Sequence, residues 1–65
     1  MKIRDLTVPE LNHYRQYCNF TPQEAQFFEL RAGDASLEDC CEAMCCSKHM
    51  ADNLSRRVRA KMNRV

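Results

Sequence analysis

Residues 36 to 54 read SLEDCCEAMCCSKHMADNL, and this stretch decides the fold. Ser36 is followed three positions later by Asp39, the capping-box pattern that marks the start of a helix. Ser47 can cap a second helix, and only residues 45 and 46 separate the two segments. Two short capped helices joined by so tight a turn form a helix-turn-helix unit.

Two more capping boxes precede this unit, Thr7 with Glu10 and Thr21 with Glu24. Apolar residues recur at helical spacing after each cap, and Gly33 is expected to supply the left-handed residue that ends the second helix. The pattern predicts one compact, all-α four-helix domain over residues 1–65, with the helix-turn-helix in 36–63. The expected helices are 8–17, 22–32, 37–45 and 48–63.

The predicted core draws on all four helices and is small, as befits a chain of 65 residues with one glycine and no tryptophan. Its expected members are Leu11, Tyr14, Phe20, Phe28, Leu30, Leu37, Cys40, Met44, Cys46, Ala51, Leu54 and Val58.

Charge is separated along the chain although the formal net charge is only +1. Residues 1–46 carry four basic and eight acidic side chains, a balance of −4, whereas residues 47–65 carry six basic and one acidic, a balance of +5. A basic helix face gains affinity for phosphates because each contact releases condensed counterions. The last helix therefore favours double-stranded DNA as a partner, with an ordinary solvated surface as the open alternative.

These features resemble the helix-turn-helix in the fourth region of bacterial sigma factors, and its relatives in response-regulator and quorum-sensing activators. The likeness covers residues 20–62, through FTPQE at 20–24, SLED at 36–39, Ser47, and RRVRAKM at 56–62. It implies a bacterial or phage transcriptional regulator that binds DNA sequence-specifically. The family usually has alanine where Cys41 stands and glycine where Cys45 stands.

Apolar residues at helical spacing predict which side of the last helix faces the core: Met50, Ala51, Leu54, Val58 and Met62. The residues expected to contact DNA are Lys48, His49, Asp52, Asn53, Arg56, Arg57, Arg59 and Lys61.

We expect the early residues of this set to read bases. Asn53 is expected to pair with adenine and Arg56 with guanine, while Asp52 accepts from cytosine or orients Arg56. Phosphate contacts are assigned to Lys48, Arg57, Arg59 and Lys61, with additions from Ser47, Thr21 and backbone amides at helix starts.

The acidic second and third helices support a different hypothesis, an adaptor that binds RNA polymerase or another protein. The residues behind it are Glu24, Glu29, Glu38, Asp39 and Glu42. A homodimer is a further expectation, because Ile3, Met62 and Val65 could supply an apolar patch.

The five cysteines are interpreted mainly as small buried hydrophobic residues. A zinc site is disfavoured because on a helix Cys41 and Cys45 share a face while Cys40 and Cys46 diverge, and because paired C-x2-C knuckles are missing. Disulfide formation under oxidation stays open. His13 and His49 lie far apart and converge with no nucleophile, so neither catalysis nor a cofactor is expected. The chain has no apolar stretch of membrane-spanning length and no apolar signal-peptide core, which favours the cytoplasm.

Overall fold

The computed structural model describes residues 3 to 65, apart from the side chain of Arg4, and is all-helical over that part of the chain. A short 3-10 turn precedes four α-helices, and the predicted all-α four-helix architecture is confirmed. Helices α1 and α2 have the predicted bounds, whereas α3 and α4 each end one residue earlier than expected. The elements are Ile3–Asp5 for the turn, α1 Val8–Tyr17, α2 Pro22–Ala32, α3 Leu37–Met44 and α4 Lys48–Met62. No described helix is both long enough and apolar enough to cross a membrane.

Every helix begins at a capping residue that the sequence predicts. The side chains of Thr7, Thr21 and Ser36 each accept a hydrogen bond from the backbone amide three residues on, and the acidic side chain there accepts one from the cap's own amide. The Ser47 hydroxyl accepts from the Met50 amide at 3.2 Å. Local hydrogen bonding of this kind explains why the helix starts could be placed from the sequence.

Helix α2 ends in a different way from the prediction. Gly33 has φ −83° and is not left-handed, whereas Asp34 has φ 68° and takes the left-handed position. The Ala35 amide then donates to the Leu30 carbonyl at 3.0 Å, and the Asp34 amide donates to the Arg31 carbonyl at 3.1 Å. This pair of bonds is the Schellman ending, and it requires the left-handed residue one place later than glycine.

The turn of the helix-turn-helix uses the same ending. Cys45 has φ 51°, its amide donates to the Glu42 carbonyl at 3.3 Å, and the Cys46 amide donates to the Cys41 carbonyl at 3.0 Å. A cysteine thus occupies the left-handed position that favours glycine. The chain reverses within three residues and delivers Ser47 as the cap of α4.

The core lies where α4 packs against α2 and α3. Of the predicted core, Phe28, Cys40, Ala51, Leu54 and Val58 are buried, and the remaining seven residues are half-buried against them. The buried hydrophobic residues that the predicted core list left out are Ile3, Leu6, Cys18, Phe27 and Met62.

Two of these residues correct the expected apolar patch for a homodimer. Ile3 is 6% exposed and Met62 is 7% exposed, since both belong to the core, and only Val65 stays exposed. The N-terminal turn therefore covers the core, and the surface proposed for self-association is not formed by these residues.

Candidate nucleic-acid interface

Helix α4 has a buried side and an exposed basic side. Ala51, Leu54 and Val58 are at most 1% exposed, and they lie on the side that packs against α2 and α3. Because successive residues are about 100° apart on a helix, the side directly opposite carries His49, Asn53 and Arg56.

The predicted DNA-contacting residues fall into two groups by exposure. Asp52, Asn53 and Lys61 are half-buried. The exposed members are Lys48, His49, Arg56, Arg57 and Arg59, to which the structure adds Arg64.

The exposed cations on α4 and just after its end have no ionic partner within the part of the chain that the structure describes. The two ion pairs found there, Arg15 with Glu29 and Lys61 with Glu24, use none of them. No side-chain hydrogen bond among the described residues engages them either: Lys48, Arg56, Arg57, Arg59 and Arg64. These charges are available to a ligand without the cost of breaking an internal ion pair.

Lys61 has a different position from the other cations. Its Nζ forms an ion pair with the buried Glu24 carboxylate and donates to the Asn19 carbonyl at 2.9 Å. The Lys61 hydrogen bond holds the pKa of Glu24 below its ordinary value, against the effect of burial. Lys61 therefore joins α2 to α4 in the free protein, and its phosphate contact stays a prediction.

The two flanks of the exposed face differ in charge. On one flank, Arg57 and Arg64 line a shallow cleft beside Glu24, whose carboxylate is already paired with Lys61. On the other flank, Lys48 lines an open cleft with the acidic residues Glu38 and Glu42 of α3. A phosphate chain would therefore meet unpaired acidic side chains beside Lys48 but not beside Arg57.

Asp52 lies at the edge of the face towards α3. Its carboxylate is close enough to the Cys41 thiol to contribute to raising the pKa of that thiol, after the larger effect of burial. No hydrogen bond or ion pair joins Asp52 to Arg56 among the described residues, so the free protein does not show the orienting contact that the sequence suggested.

The hydroxyl groups proposed as additional phosphate contacts already act as helix caps. Thr21 accepts from the Glu24 amide and Ser47 from the Met50 amide. A hydroxyl that accepts such a bond retains its own hydrogen and can still donate to a phosphate oxygen.

The cysteines occupy three environments. Cys18 and Cys40 are buried, as expected for small hydrophobic residues, whereas Cys41 and Cys46 are half-buried and Cys45 is exposed. The interpretation as buried residues is therefore wrong for Cys45. No group of three or more potential ligands among the described residues is arranged to hold a metal ion.

Comparison of the chain with protein-family models, with curated proteins and with solved structures found no match.

Proposed function

We propose that this chain is a DNA-binding transcriptional regulator that places α4 in the major groove of duplex DNA. The observation that carries the proposal is the set of unpaired cations on the exposed side of α4, directly after the turn from α3. In a helix-turn-helix unit the second helix enters the groove while the first supports it. The buried side of α4 holds that helix on the rest of the domain, so its basic side is the one presented to a partner.

Base reading is assigned to the middle of the exposed side. Asn53 and Arg56 lie opposite the buried residues of α4 and reach furthest into a groove that the helix enters. Asn53 suits the paired donor and acceptor of adenine, Arg56 suits the two acceptors of guanine, and Asp52 suits the amino group of cytosine. His49, one turn before Asn53, adds a further polar contact.

Phosphate contacts are assigned to the flanks of α4. Arg57 and Arg64 serve the basic flank, with the Thr21 hydroxyl at the start of α2 as a neutral addition. Lys48 and Arg59 serve the other flank, where Glu38 and Glu42 weaken the local field at Lys48. The closer phosphate contacts are therefore expected on the Arg57 side.

Binding of labelled duplexes, followed by fluorescence anisotropy at several salt concentrations, tests the assignment. A duplex selected from a random pool is compared with a scrambled one. Arg56→Ala should weaken binding to the selected duplex by about 1 to 3 kcal/mol and reduce the sequence preference at one base pair, because one bidentate base contact is lost. Arg57→Ala should weaken binding to both duplexes equally and reduce by about one the slope of log affinity against log salt concentration.

Arg15→Ala is the matched control, because it removes the same charge from an exposed ion pair between α1 and α2. It should leave both the preference and the salt slope close to those of the wild type. If Arg56→Ala and Arg57→Ala bind both duplexes as the wild type does, α4 is not the DNA-reading helix. If Arg15→Ala has the same effect as Arg57→Ala, only net charge is being sensed.

A second candidate function is docking on RNA polymerase or another protein. The observation that favours it is the open cleft of about 590 Å³ between α3 and the start of α4, whose lining combines Leu37 and Cys41 with Glu38 and Glu42. Capture of purified RNA polymerase by the wild type, compared with Glu38→Lys/Glu42→Lys, tests this function. The double variant should no longer capture RNA polymerase but should still bind DNA. Equal capture by the wild type and the double variant would show that the cleft is not the docking site.

A further inference from the structure

The turn between α3 and α4 brings the backbones of Cys41 and Cys46 together. The Cys46 amide donates to the Cys41 carbonyl at 3.0 Å because Cys45 is left-handed, and both cysteine side chains pack against the core. The residues joined by this bond in a Schellman ending commonly make a side-chain contact as well. That backbone bond places the two residues side by side at the turn, and burial together with the neighbouring Cys46 thiol raises the pKa of the Cys41 thiol.

The other three cysteines are less suited to pairing. The Cys45 thiol is exposed and turns back towards the Glu42 carbonyl at 3.9 Å. Cys18 and Cys40 are 2% and 0% exposed, so a reagent in solution cannot reach them while the domain is folded. Cys41, by contrast, lines the open cleft beside Leu37 and Lys48 and is accessible to a small molecule.

We propose that Cys41 and Cys46 are a dithiol modification site, which low-molecular-weight disulfides such as oxidised glutathione convert to an intramolecular disulfide. Cys41 loses its proton, and its thiolate attacks the glutathione disulfide, forming a mixed disulfide and releasing one glutathione thiolate. The Cys46 thiolate then attacks the Cys41 sulfur, which forms the internal bond and releases the second glutathione thiolate. The two protein thiols are oxidised, one glutathione disulfide is reduced, and the two released thiolates take up the two protons.

The bond would join the last turn of α3 to the residue that precedes the cap of α4. It would lock the turn that sets α4 on the domain, and a dithiol reductant would reverse it. Oxidised protein should therefore unfold at a higher urea concentration than reduced protein, because the cross-link restricts the unfolded chain. This inference does not depend on what α4 binds.

The test uses the wild-type chain, incubated with oxidised glutathione, alkylated, cleaved after glutamate and analysed by mass spectrometry. Cleavage after Glu42 separates Cys41 from Cys46. The expected product is a monomer that has lost two hydrogen atoms, with these two residues in one cross-linked peptide pair, and dithiothreitol should restore the original mass.

Cys45→Ser is the matched variant, because it removes the adjacent exposed thiol and should still form the bond. Cys46→Ser should stop at the mixed disulfide or remain unmodified. A bond that uses Cys40 or Cys45, a bond between two chains, a stable mixed disulfide on the wild type, or no reaction would each overturn the proposal. Because the mapping is made on the wild type, it stands whether or not Cys46→Ser folds.

Discussion

The ion pair between Lys61 and Glu24 should contribute several times more to the free energy of unfolding than an exposed ion pair in the same protein. Glu24 is 2% exposed, and its Oε1 also accepts from the Thr21 amide at 2.9 Å. Lys61→Met keeps the aliphatic length but removes the ammonium group, which leaves a buried carboxylate with only that amide as partner. Breaking a buried pair from one side costs about 3 to 5 kcal/mol, and we expect about 2 to 3 kcal/mol because Lys61 retains partial solvent contact.

The expected loss is large for this chain, because a domain of this size is stabilised by roughly 3 to 10 kcal/mol in total. A loss of that size lowers the unfolding midpoint of a small domain by about 10 to 20 °C. Thermal unfolding followed by circular dichroism measures it directly. Arg15→Met is the matched control, because it breaks an ion pair whose side chains are 40% and 49% exposed. The control should cost no more than about 1 kcal/mol.

The pH dependence gives a second and independent test. The Lys61 hydrogen bond lowers the pKa of Glu24 in the folded state below its ordinary value of 4.5. The stabilisation is therefore present above that ordinary value and is lost as the pH falls through the folded-state pKa. The difference in unfolding midpoint between the wild type and Lys61→Met should be largest at neutral pH and should shrink in acid. Equal losses for Lys61→Met and Arg15→Met at neutral pH would refute the reasoning, as would a difference that persists unchanged in acid.

Three further predictions concern the core and the helix ends. Leu54→Ala should lower the free energy of unfolding in urea by about 2 to 5 kcal/mol, because Leu54 is 1% exposed. Val8→Ala, at a position 67% exposed, should change it by no more than about 0.5 kcal/mol, and similar costs for both variants would contradict the assigned core. Gly33→Ala should stabilise the folded domain by about 0.4 to 1 kcal/mol, since the added Cβ meets only the Glu29 and Leu30 carbonyl oxygens, both at 3.6 Å. A loss of stability would show that residue 33 needs a left-handed conformation. Cys45→Gly should raise the unfolding midpoint because a left-handed non-glycine residue costs about 1 kcal/mol, and a lower midpoint would argue against the left-handed turn.

The sequence alone predicted where the helices start and which side of α4 is buried. Each cap depends on a hydrogen bond between residues three apart, and the buried residues of α4 recur at three and four positions. Interactions of such short range are determined by neighbouring residues, whatever path the chain takes afterwards. The exposed position of Arg56 and Arg57 followed from the same periodicity.

The end of α2 was predictable only in part. Gly33 and Asp34 are adjacent, and glycine is the usual left-handed residue after a helix. In the structure Gly33 is instead the C-cap of α2 with a negative φ, and Asp34 takes the left-handed position, so that the Ala35 amide can reach the Leu30 carbonyl. Ala35 packs against the core, and that packing accounts for the left-handed residue falling one position later than glycine preference suggests.

The tertiary structure alone decided which partner Lys61 of α4 has inside the molecule. Lys61 belongs to the same basic run as Arg57 and Arg59. Its spacing of three from Val58 places it beside the buried side of α4, but no local pattern says which residue it meets there. Its partner Glu24 lies 37 residues away and meets it only because α2 packs against α4. Ile3 is likewise buried only because the chain folds its N-terminal turn back over the core. Contacts between residues so far apart depend on how the helices pack, and helical periodicity describes each helix without saying which residues of another helix it will meet.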